Sequence, residues 1–389
     1  MTRGKQSTRN IYLLGLVSFV NDTSSKIILP VLPLFISALG GNGLVLGLVG
    51  GIGETIASLF KIVSGILSDR FKRRKPFVFL GYFIASLSKL LLAFAGTWVG
   101  VLALRSAERL GKGLRQAPRD ALLAASTTKE NRGRGFGIHR ALDSGGAVLG
   151  SLLALAMFWF LGFSFQHIFL TAGAIAFLSL VPVLFVRESS QTMHSKKLRI
   201  SFSALSKKLR IFIVIATVFA LANFSYMFFV MRSREFFSAE LAVIVPIAMY
   251  AVYNLVATLF AVPAGILSDK VGRKKVLIAG YSLFALTCIG FVFLGSLEAF
   301  VFLFFLYGVF FALVDATERA FVSDLSSQET RGTALGTFQA FTGLAALPSG
   351  IIAGVLWDSV GGSATFAFGA GLSLLAVALF LFFSKRSVL

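Results

Sequence analysis

The sequence predicts an all-α membrane protein, with twelve transmembrane helices in two pseudo-symmetric six-helix bundles. Three observations predict this class. The 389 residues are 56% hydrophobic and only 14% charged, which leaves too little polar surface to cover a water-soluble globule. The apolar residues fall in runs of roughly 20 or more, the length that spans the hydrocarbon core of a bilayer, separated by short polar segments. Finally, Gly65-Ile66-Leu67-Ser68-Asp69-Arg70-Phe71-Lys72-Arg73-Arg74-Lys75 returns 200 residues later as Gly265-Ile266-Leu267-Ser268-Asp269-Lys270-Val271-Gly272-Arg273-Lys274-Lys275. A duplicated chain predicts two halves of like architecture.

Taken in order, the predicted spans are 11–38, 44–67, 76–96, 98–123, 135–160 and 165–186, then 211–231, 241–267, 276–295, 299–323, 334–357 and 363–383. The first follows a basic, polar start and shows no small-residue cleavage site, so it reads as a retained span. Its Pro30 and Pro33 are expected to break or bend its far end. The polar stretch 187–210 separates the halves, giving a first bundle 1–186, a basic linker 187–210 and a second bundle 211–389. A second near-repeat, Asn131-Arg132-Gly133-Arg134-Gly135-Phe136-Gly137 against Thr330-Arg331-Gly332-Thr333-Ala334-Leu335-Gly336, opens the fifth span of each half.

An even number of spans puts both termini on one side. Arg3, Lys5 and Arg9, the Arg70 to Lys75 cluster, Lys129 to Arg134, the linker, Lys270 to Lys275, Arg331, Lys385 and Arg386 all fall on that side. The loops near Gly40 to Gly43, Gly96 to Thr97, Leu161 to Gln166 and Ser296 to Glu298 carry almost none. The positive-inside rule therefore predicts a multi-pass protein of the cytoplasmic (inner) membrane with both termini cytoplasmic. The same clustering accounts for the net charge of +20 as a topology signal, without a nucleic-acid partner. Cys288 is the one cysteine, so there is no disulfide framework and no thiolate metal site. No metal or cofactor is expected.

The loop after the second span carries a resemblance. G-x-L-a-D-r-x-G-r-k is the signature loop of the major facilitator superfamily, and this chain resembles that family over essentially its whole length. The second copy fits the pattern completely; the first has Lys72 in the place of its second glycine. The resemblance implies that Gly65, Asp69, Arg70 and Arg73, with Gly265, Asp269 and Arg273, form a gating motif. Alone, the loop reads as a basic turn with a helix-capping Asp. Arg105-Ser106-Ala107-Glu108-Arg109-Leu110-Gly111 is similar to the family's R-x-x-q-G-x-g. Gly137, Gly146 and Gly150 take the spacing of the family's antiporter signature, with Ser151 where that signature has proline. They read equally well as a helix-packing seam. A monomer without cofactor is what the resemblance implies.

An ionisable side chain near the bilayer centre costs about 3 kcal/mol or more and needs a partner or a task. Asp22 lies roughly 17 Å into the first span, with Lys26 one turn on. Glu54 lies at similar depth in the second span, and Asp22 and Glu54 are the candidates for proton coupling. Arg105, Glu108, Arg109 and Lys112 follow i, i+3, i+4, i+7 and share one face, which must look inward. His139, Arg140 and Asp143 lie within a turn of the fifth span. The second half is quieter, with Asn223, Asp315, Glu318 and Arg319. Lys26, Arg105, Glu108, Arg109, Asn223, Tyr226, Tyr250 and Tyr253 are candidates to line a substrate cavity, the charged ones being equally readable as fixed salt bridges and the tyrosines as packing.

These features point to a secondary transporter that moves a small anionic or zwitterionic solute with protons by alternating access, with export ahead of uptake symport. No G-x-x-x-x-G-K-[ST] loop suggests an ATP-driven pump. Neither H-E-x-x-H nor G-x-S-x-G suggests a membrane-embedded enzyme, and there is no large soluble domain to suggest a sensor.

Overall fold

A computed structural model describes residues 3–127, 132–188, 202, 205–327 and 330–385. Among these the regular structure is helical throughout, in fifteen α-helices and one short 3₁₀ turn, Leu92–Phe94. In the first half they are α1 Arg3–Ile28, α2 Leu32–Ala38, α3 Gly43–Arg70, α4 Lys75–Leu91, α5 Trp98–Ala125, α6 Arg132–Trp159, α7 Phe165–Leu178 and α8 Leu180–Phe185. The second half holds α9 Lys207–Ala222, α10 Tyr226–Arg234, α11 Leu241–Val271, α12 Arg273–Phe293, α13 Leu297–Asp324, α14 Arg331–Ser359 and α15 Gly362–Lys385. Lys129, Asn131, His194, Lys196, Lys197, Arg199 and Arg386 lie outside the described residues.

Among the described residues eleven segments are long and apolar enough to cross a membrane, the pairs α1/α2, α7/α8 and α9/α10 each counting as one. The twelfth expected span is α5. It is 28 residues long, but Arg105, Glu108, Arg109, Lys112, Arg115, Arg119 and Asp120 make it too polar to qualify by composition. Serine and threonine start several of the helices by accepting an otherwise orphaned backbone N–H: Thr97 takes that of Gly100 at 3.2 Å and Ser296 that of Ala299 at 3.2 Å.

The expected break at Pro30 is present, between α1 and α2. A second break was not expected: the predicted span 211–231 divides at Asn223-Phe224-Ser225 into α9 and α10. Backbone groups released inside a membrane need new partners. Ser349 of α14 donates its hydroxyl to Leu221 O at 2.9 Å, and Ser225 caps Met227 N at 3.4 Å. The basic residues Lys207, Lys208 and Arg210, expected in the linker, belong to the first turn of α9.

Contacts group the chain into two compact units, Met1–Phe35 with Ile56–Lys197, and Ile36–Thr55 with Leu198–Leu389. The start of α3 thus packs with the second unit and its remainder with the first.

In the first unit, glycine lets helix backbones meet. Gly146 and Gly150 of α6 lie against the backbone of Phe19 and Thr23 on α1, and Gly81 of α4 lies against the Gly111 carbonyl on α5. Such contacts replace the hydrophobic drive that is missing in lipid. Gly137 has open space around it and takes no part in this seam. Asn10 ties three ends together, donating to Ser126 Oγ at 3.2 Å and Arg187 O at 2.8 Å and accepting from Arg187 N at 3.1 Å. Gly150→Leu should prevent α1 and α6 from closing, because the added side chain meets the Thr23 carbonyl and Lys26 Cβ. Its expected result is loss of the monodisperse peak in size-exclusion chromatography, whereas Gly137→Leu should leave that peak intact.

The second unit has an aromatic core. Phe229 stacks on Tyr307 at 4.2 Å, Phe219 on Tyr281 at 3.8 Å and Phe291 on Phe366 at 4.8 Å between ring centroids. The start of α3 is held here by Asp358, whose carboxylate accepts Gly43 N at 2.7 Å and Leu44 N at 2.9 Å, the favoured place for an anion on a helix. One turn on, Gly47 and Gly350 touch backbone to backbone.

Candidate substrate and coupling site

In the first unit the charges converge from four helices. Lys26, Lys89, Arg105, Arg109, Lys112, Arg115, Arg119 and Arg140 stand against the carboxylates of Asp22, Glu108, Asp120 and Asp143. Asp22, half-buried on α1, lies in the field of Asp143 on α6, Lys26 on its own helix, and Lys112 and Arg115 on α5. Its Oδ1 accepts from Asn21 Nδ2 at 3.1 Å. In the low dielectric of a membrane protein these charges act on one another strongly, and cations are in excess.

The α5 face predicted from spacing is present, and within it Arg105 pairs with Glu108, both buried. Two turns beyond Glu108, on the same helix, the Arg115 guanidinium lies 4.4 Å from the centroid of the Tyr82 ring, a cation–π contact. Arg119 bonds Asp120 at 2.9 Å and Ser18 Oγ of α1 at 3.0 Å. Arg140 and Asp143 approach to 3.7 Å along α6, and His139 is buried beside them.

Four of these were not singled out from sequence: Lys89, Arg115, Arg119 and Asp120. Lys89 has no exposed surface, and as a lone lysine in the middle of the third span it meets the criterion that picked out Asp22. Arg115, Arg119 and Asp120 continue the periodicity of the α5 face beyond Lys112.

Glu54 is exposed and lies in the stretch of α3 that packs with the second unit, so Asp22 and Glu54 belong to different units. Asn223 is exposed at the break between α9 and α10. The tyrosines form a ladder, Tyr226 to Tyr250 at 5.3 Å, Tyr250 to Tyr253 at 5.7 Å and Tyr253 to Tyr307 at 4.8 Å. Tyr250 and Tyr253 are buried within it. On α13, Arg319 pairs with Asp315, and Glu318 accepts the Tyr281 hydroxyl at 2.7 Å.

The two copies of the signature loop differ in length. α11 and α12 are joined by Gly272 alone, at φ +99°, whereas α3 and α4 are joined by residues 71–74, with Lys72 at φ +53°. Lys72 therefore keeps the left-handed turn that the missing glycine would supply, at some steric cost. In the second copy Arg273 bonds Asp269 at 2.5 Å and Asp324 at 3.3 Å. In the first, α4 starts two positions later in register, and Arg74 takes that role in place of the expected Arg73. It bonds Asp69 at 3.1 Å and donates to Ala121 O at 3.4 Å. Glu188 caps the start of α4 by accepting Arg74 N at 2.5 Å and Lys75 N at 3.3 Å. Gly65 packs on Ala117, Gly265 faces open space, and Arg70 and Arg73 are exposed. Arg74→Ala should lower stability by about 1 kcal/mol. Arg73→Ala should change it by only a few tenths, a contrast readable from thermal unfolding of the two purified variants.

Comparison with known proteins agrees with this architecture. The sequence model of the Major Facilitator Superfamily matches residues 14–247 and again 238–388, and the chain belongs to that superfamily of transporters. It is 44% identical over 382 residues to the uncharacterized MFS-type transporter MJ1317 of Methanocaldococcus jannaschii, covering 97% of this chain and 96% of that one. The multidrug resistance protein MdtH of Yersinia pestis is 32% identical over 142 residues, 36% of this chain and 34% of that one. The crystal structure of the nucleoside transporter NupG superposes with a TM-score of 0.80 at 17% identity, covering 97% of this chain and 99% of that one.

Proposed function

We propose that this chain is a proton-coupled secondary transporter that exports a small anionic or zwitterionic solute across the cytoplasmic membrane by alternating access, as a monomer with both termini in the cytoplasm. The observation that carries this reading is the excess of buried and half-buried cations around Asp22 in the first unit. Such a surface attracts a negatively charged group, and a bound anion that takes up the charge of these cations would leave the acid beside them free to exchange a proton. The reading assigns the proton to Asp22, with Glu54 the second candidate. Within the first unit the solute contacts assigned are Lys26, Arg105, Glu108 and Arg109, within the second they are Asn223, Tyr226, Tyr250 and Tyr253, and gating is assigned to the two signature loops. Export is favoured by the sequence match to MdtH and by Gly146 and Gly150. Transport, not catalysis, is the activity proposed.

A thermal-shift screen of the purified protein tests the solute class. Organic anions and zwitterions, among them amino acids, nucleosides and chelates, should raise the unfolding temperature, and hydrophobic cations should not. Stabilisation by hydrophobic cations alone would overturn the assignment.

A further inference from the structure

We propose that the oxygens of Asn21, Ser24 and Ser25 on α1 form a binding site for a monovalent cation of the ammonium class, and that this chain fills the site with its own Lys89. The Lys89 Nζ on α4 stands 3.2 Å from Asn21 O, 3.2 Å from Asn21 Oδ1, 3.3 Å from Ser24 Oγ and 2.8 Å from Ser25 Oγ. All four are neutral oxygens. Among the described residues no carboxylate lies within ion-pair distance of Lys89, so this is not a buried salt bridge.

Each ligand is fixed with its lone pairs toward the cation. The Ser24 hydroxyl gives its hydrogen to Ala172 O of α7 at 2.6 Å, and the Ser25 hydroxyl gives its own to Asn21 O at 2.9 Å. Both are therefore left as acceptors toward Lys89. The Asn21 amide donates to Asp22 Oδ1 at 3.1 Å, which turns Oδ1 toward the lysine. A hydroxyl can donate only once, so the set could not serve an anion. An oxygen cage in which every hydrogen is already committed elsewhere is built to solvate a positive charge away from water, and its distances are those of N–H···O bonds. The cage lies shortly before the break at Pro30 and is joined to Asp22 through Asn21. The tethered ammonium therefore holds the polar stretch of α1 on α4 without a free cation, beside the bond from Ser24 to α7.

The test does not depend on the transport reading, because its readout is recovery and stability. Wild type, Lys89→Ala and Lys89→Met are extracted and purified in ammonium, methylammonium or N-methylglucamine chloride at matched ionic strength. Lys89→Ala should be recovered as a monodisperse species best in ammonium or methylammonium. Its unfolding temperature should rise by about 5 °C at a concentration a hundred times the dissociation constant. Wild type should be indifferent to the salt, and Lys89→Met, whose side chain fills the volume without a charge, should be unstable in all three. The proposal is overturned if Lys89→Ala shows no preference among the salts, is recovered in none of them, or if wild type shows the same ammonium-dependent rise.

Discussion

Asp22→Asn is expected to reduce accumulation of solute driven by a pH gradient to the level of protein-free vesicles, while exchange of labelled for unlabelled solute continues. Asparagine keeps the shape of the side chain and an oxygen able to accept from Asn21, but it has no exchangeable acid proton. The hydrogen bond between Asn21 and Asp22, and through it the cage around Lys89, survives the substitution, so the loss reports coupling and not collapse. Glu54→Gln serves as the companion. It stands exposed on a different unit, and if Asp22 carries the proton, Glu54→Gln should retain gradient-driven transport. Unchanged accumulation in Asp22→Asn, with loss in Glu54→Gln, would transfer the role to Glu54.

The second large effect concerns the ion pair on α5. Glu108→Gln removes the carboxylate that pairs with Arg105, a residue 2% exposed. Taking one member from a buried pair is far more damaging than replacing both with apolar groups of like size. The expected cost is on the order of 3 kcal/mol, or roughly 10 °C in unfolding temperature. The double variant Arg105→Met with Glu108→Leu should regain most of that stability. If the pair also touches solute, the double variant is stable but no longer stabilised by the anions that stabilise wild type. If its role is only to brace α5, the response to those anions persists.

The span pattern, the duplication and the inward face of α5 were legible because each rests on a local regularity: run length, repeat distance or helical period. The break at Asn223 was not, since none of residues 223–225 is a proline. The helix is interrupted there by tertiary contacts, with Ser349 taking the Leu221 carbonyl and Phe224 entering the aromatic core. The exchange of Arg73 for Arg74 had the same kind of cause. Counting 200 residues back from Arg273 lands on Arg73, but the longer turn around Lys72 shifts the start of α4, and the next arginine meets Asp69. Lys89 was visible as a residue but not as a site. Its ligands are a backbone carbonyl, an amide and two hydroxyls from a helix more than sixty positions away, and none of these marks a cation site in a linear sequence.

The most direct test of proton-coupled transport is solute-evoked proton movement. Everted membrane vesicles are energised so that the lumen is acidic, and a pH-sensitive dye follows the gradient while a solute identified by the stabilisation screen is added. The solute should discharge the gradient in vesicles carrying the wild-type chain but not in those carrying Asp22→Asn. Uptake of the labelled solute by wild-type vesicles with no accompanying proton movement would contradict proton coupling.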